Sequence, residues 1–80
     1  MQKELHYNVI FQPEEEGGFT VTVPSLPGCV SYGKDLEEAK VMAIDAIGIY
    51  IESLRKHKEE VPSDGESFFT TVNVSLPLHA

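Results

Sequence analysis

Eighty residues suffice for one small domain, in which roughly 60% of the unfolded surface can be buried. Six Lys and Arg against 13 Asp and Glu give a formal charge of −7, too few cations for a phosphate-binding surface and a charge that suits a basic partner. A single cysteine leaves no intrachain disulfide and fits a reducing cytoplasm, and no apolar run approaches the ~20 residues of a membrane span.

The chain opens with Leu5, Tyr7, Val9 and Phe11 alternating with His6, Asn8 and Gln12, the period-2 pattern of a half-buried strand. That pattern predicts a first strand over about 5–12. Pro13 to Gly18 is a polar break, and Phe19, Val21 and Val23 then alternate with threonines, predicting a second strand over 18–23. Two alternating runs around a glycine-containing break read as an antiparallel hairpin. Pro24-Ser25-Leu26-Pro27-Gly28 is a tight connector in which Pro27 fixes φ and Gly28 takes the left-handed turn position. Cys29 starts a short third strand, 29–33, with Val30 and Tyr32 on one face.

Asp35 has a capping side chain and Glu38 stands three residues on, the spacing of a capping box. Glu37 and Glu38 near its start and Arg55, Lys56 and Lys58 near its end complement the dipole of a helix over about 35–58. Pro62-Ser63-Asp64-Gly65 reads as a turn, and Phe68, Thr70, Val72, Val74 and Leu76 alternate as a last strand over 67–76. The expected fold is therefore α+β, a single β-β-β-α-β domain of antiparallel hairpins with one long helix packed on the sheet.

Leu36, Ala39, Ala43, Ala46, Ile47, Tyr50 and Leu54 form the helical stripe expected to meet the sheet. Val41, Ile44, Gly48 and Ile51 repeat the spacing on an adjacent face. A single sheet covers one face, so the second stripe needs another cover, either a loop or the C-terminal tail, or a second copy or partner protein. Gly48 favours the second copy or partner, because glycine inside a helix costs about 1 kcal/mol against Ala and admits a close backbone.

Chemistry is scarce. His6, His57 and His79 have no ligand spacing, so no metal site or cofactor is expected. Cys29 lacks a nearby base in sequence and reads as a small packed residue. Glu14, Glu15 and Glu16 sit on a hairpin tip where nothing desolvates them, so they read as a solvated cluster and candidate partner contacts rather than an acid–base pair. No catalytic constellation appears, and the chain is read as a non-enzyme.

The run from Gly18 to Ala39, with its F-x-V-x-V-P strand, the Leu26-Pro27-Gly28-Cys29 turn, Gly33 before the helix and Glu38-Ala39 in its first turn, resembles the signature of the HicB family of antitoxins. Tyr7 to Phe11 fits the same pattern, so the likeness covers about residues 5 to 60 and makes 1–80 one HicB-like domain. It implies a partial ribonuclease H-like fold and a role as inhibitor of HicA, a small basic ribonuclease that cleaves messenger RNA, within a type II toxin–antitoxin system. The last strand has no Asp or Glu between Ser67 and Ala80, so the acidic ligands of a ribonuclease H are lacking. The DNA-binding segment of longer family members has no counterpart after Pro62, which narrows the implied role to a protein partner alone. The remaining reading is a stand-alone oligomeric module that regulates or binds a small ligand.

Overall fold

The computed structural model describes residues 4–65 and 67–78. Strand β1, Ile10–Pro13, pairs antiparallel with β2, Phe19–Thr22, and β2 pairs antiparallel with β3, Val30–Gly33, in the order β1-β2-β3. Helix α1, Leu36–Lys56, follows directly. Three antiparallel strands leading into one long helix give the expected α+β architecture.

The register places Phe11 beside Val21 and Val21 beside Ser31, so these three share the sheet face that the helix covers. Thr20 and Tyr32, and Thr22 and Val30, point the other way, which leaves Val30 and Tyr32 exposed on the outer face. The helix lies over β3 and, less extensively, over β2. Its approach depends on Gly33, where a Cβ would stand 2.2 Å from the Ala39 nitrogen and 2.4 Å from its Cα. Small residues, Ser31 and Gly33, thus occupy the strand directly beneath the helix.

The core is small. Val21, Ala39 and Ala43 form one buried cluster, against which Val9, Phe11 and Phe19 pack. Val23, Leu26 and Cys29 form the other, supported by Tyr7, Val9, Ala46, Ile47 and Tyr50. Leu26 and Val21 are wholly buried. Leu36, expected in the packing stripe, is exposed instead, because helix–sheet contact begins one turn later at Ala39.

Two sequence expectations are corrected. The first strand, expected from residue 5, pairs only from Ile10, because continuing the register would set Asn8 opposite Pro24, which has no N–H to give. The fourth strand expected over 67–76 is not formed: that segment has no strand pairing and is exposed throughout. The turn expected at residues 62–65 docks beside the start of the chain instead. The Asp64 amide donates to the His6 carbonyl at 2.8 Å, and the Asn8 side-chain amide donates to the Ser67 carbonyl at 3.2 Å.

The helix ends as its residues dictate. The Asp35 carboxylate accepts from the Glu38 amide at 2.8 Å, and the Glu38 carboxylate reaches back past the cap to accept from the Lys34 amide at 2.8 Å, a variant of the capping box. At the other end Lys58 takes φ 58°, the left-handed conformation that closes many helices, and the Glu59 amide donates to the Leu54 carbonyl at 2.8 Å.

Candidate partner-binding surface

An α-helix is about 10 Å across and strands lie about 4.8 Å apart, so one helix covers roughly two strands. Here those are β3 and β2, and the helix-facing side of the chain through β1 is left open. A groove of 490 Å³ results, with Leu5, Tyr7, Val9 and Phe11 along one wall and Ala43, Ile44, Ile47 and Ile51 along the other. Among the described residues, Lys40 is the one charged residue on its lining.

Of the second helical stripe, Ile44 and Ile51 line this groove, whereas Val41 and Gly48 do not. Val41 and Ile44 are exposed, at 64% and 72%. A Cβ at Gly48 would meet nothing within 4 Å, so that position is open to an approaching backbone. Met42 and Ile49 extend the exposed apolar face. The strand wall of the groove was missed in the sequence because the row Leu5 to Phe11 reads as a core face. The signal that marks it as open is arithmetic, one helix set against three strands.

Glu14, Glu15 and Glu16 lie exposed in the β1–β2 hairpin. The Glu14 amide donates to the Gly18 carbonyl at 3.0 Å, and the Gly17 amide to the Glu14 carbonyl at 2.9 Å. The Tyr32 hydroxyl donates to the Gly17 carbonyl at 2.8 Å. Gly18, at φ 81°, has no alternative, since a Cβ there would collide with the Tyr32 hydroxyl.

The connector residues are tied into the fold. Gly28 has φ 84°, and the Pro27 carbonyl accepts from the Tyr50 hydroxyl at 2.8 Å, tying the connector to the helix. Cys29 is buried, and burial pushes its thiol above the ordinary value, away from the thiolate a nucleophile needs.

A polar clasp joins the two sides of the domain, and sequence reasoning took Asp64 for no more than a turn residue. Its carboxylate accepts from the Ser25 hydroxyl and from the Asn8 amide, the latter at 2.5 Å. These bonds, the Ser25 bond first, hold the Asp64 carboxyl below the ordinary carboxylate value, and His6 adds a favourable charge. Beside it the Tyr7 hydroxyl donates to the Pro62 carbonyl, and burial, followed by the Asp64 charge, raises the Tyr7 phenol. Among the described residues no cluster of three or more His, Cys, Asp or Glu could hold a metal ion, and no helix is long and apolar enough to cross a membrane.

The sequence profile described as HicB_like antitoxin of bacterial toxin-antitoxin system matches residues 7–73. The chain belongs to this HicB-like antitoxin family. The HicB-like chain is 44% identical to a UPF0150 protein of Thermoplasma acidophilum over 82% of its own length and 96% of the relative's. It is 36% identical to antitoxin HicB 1 of Photorhabdus laumondii over 95% of its own length, but spans 49% of that longer protein. A UPF0150 protein of Synechocystis is 39% identical over 74% of this chain and 75% of its own.

Proposed function

We propose that this HicB-like chain is a non-catalytic inhibitor that binds and blocks a small basic ribonuclease of the HicA type. The observation that carries this reading is the pairing of an open apolar helix face with a carboxylate-bearing hairpin on a chain of charge −7. Unlike charges steer the two proteins together, and apolar burial then holds them. Glu14, Glu15 and Glu16 supply the steering, and Val41, Ile44, Gly48 and Ile51 supply a packing surface for the toxin or for a second copy of the chain. A buried, lone Cys29 accords with a reducing cytoplasm as the place of action. The partial ribonuclease H-like fold that the family resemblance implies would fit the same role, as a scaffold without the nuclease's acidic ligands.

Co-expression with a small basic reading frame adjacent to the gene tests the reading. Rescue of growth together with a stable complex on affinity capture is expected. Toxicity unrelieved by this chain, with no complex, overturns it. The 490 Å³ apolar groove favours one second reading, a stand-alone oligomeric module that takes a small apolar ligand. The absence of any such neighbouring reading frame, with a ligand retained through purification, would favour it.

A further inference from the structure

After Ser67 the chain leaves its own domain. Phe68, Val72, Val74 and Leu76 are each more than three-quarters exposed, and residues 67–78 contain no charged side chain. The molecule extends 56 × 29 × 21 Å with a radius of gyration of 15.9 Å, against about 12 Å for a compact chain of this length. An uncharged, β-prone segment left in water is a site of uncontrolled strand pairing, which proteins avoid by giving it a partner.

The partner surface is present on the same chain. Among the described residues β1 is the edge of the sheet, with no ladder on its outer side, and it borders the apolar groove. The tail does not enter that groove in its own chain. The Asp64 bonds to Asn8, Ser25 and His6 fix the departure point at the base of the segment before β1. Nine residues from Phe68 to Leu76 span about 30 Å when extended, more than twice the four paired residues of β1. A single chain thus holds an apolar, unpaired tail and an apolar groove that do not meet.

We propose that two copies exchange these segments. The tail of each runs along the β1 edge of the other and sets Phe68, Val72 and Val74 against Phe11, Ile44 and Ile51. A second copy suits the tail better than a basic protein does, because the tail offers no charge to complement, and reciprocal exchange closes a two-fold dimer with no strand left over. The family profile reaches residue 73, into the tail, so the segment belongs to the module. The inference rests on this geometry and not on the identity of any toxin.

Sedimentation of the full chain and of the exposed-tail variant Val72→Asp/Val74→Asp provides the test, with circular dichroism to verify that the helix persists. The full chain should sediment at twice the 8.9 kDa chain mass, and the variant at half of that dimer mass. Mixed samples of isotope-labelled and unlabelled full chain should give methyl contacts between the tail of one copy and Ile44 or Ile51 of the other. A monomeric full chain, an undiminished variant dimer, contacts confined to one chain, or tails that meet only each other would each overturn the exchange.

Discussion

The Asn8 amide donates to the Asp64 carboxylate at 2.5 Å, joining the segment before β1 to the segment after the helix across 56 positions of sequence. A bond of this kind is charge-assisted and depends on the carboxylate being ionised.

Acid should therefore loosen the domain through Asp64. Its folded value lies below the unfolded 3.8, so its contribution is present above that unfolded value and is lost as pH falls through the lowered folded value. Urea midpoints measured from pH 5 downward should decline for the parent chain, and Asp64→Asn should start lower and decline less. Parallel curves for the two proteins would remove Asp64 from acid sensitivity.

Two glycines should respond in opposite senses. Gly33→Ala drives a methyl group into the Ala39 backbone, so a loss of about 1–3 kcal/mol is expected in chemical unfolding. Gly48→Ala, in open space on the helix, should gain about 1 kcal/mol. Gly48→Leu should keep the fold yet weaken assembly, read as a higher dissociation constant in sedimentation.

Lys58 holds the left-handed conformation, at φ 58°, that glycine adopts freely. Lys58→Gly should stabilise the chain by about 0.5–1 kcal/mol, visible as a rise in melting temperature. A lower melting temperature would show that the Lys58 side chain contributes more than its backbone strain removes.

Reversing Glu14, Glu15 and Glu16 to Lys should slow association with a basic toxin and flatten its dependence on salt, with little effect on folding, because all three are exposed. Stopped-flow association rates at several ionic strengths measure this directly. Unchanged rates and salt dependence would take the hairpin out of the encounter.

Local signals in the sequence were strong wherever a residue's own chemistry decides its conformation. The Asp35 and Glu38 cap, the Gly28 turn and the alternation of Phe19 and Val21 all depend on neighbours within a few positions, and these could be placed without coordinates. The exposure of Val41, Ile44 and Gly48 also followed from helical spacing, whereas Ile51 of the same stripe is half-buried at the groove. What could not be read depends on distant partners. Leu5 to Val9 has the alternation of a strand, yet its pairing is decided by Pro24 across the hairpin. Phe68 to Leu76 has the same alternation and no ladder, because alternation specifies a strand's faces and not the strand beside it. The Asp64 clasp joins three separate segments, and no local pattern announces it.

The bond from Tyr32 to Gly17 has a kinetic meaning. A loop of three like charges left free would spread itself through solvent and would have to be gathered when a partner arrives. Braced at the Gly17 carbonyl by a tyrosine on the neighbouring strand, the loop that carries them is held in one shape already. The ordering of that backbone is thus settled by the fold before any encounter, and a partner that docks there would not have to supply it.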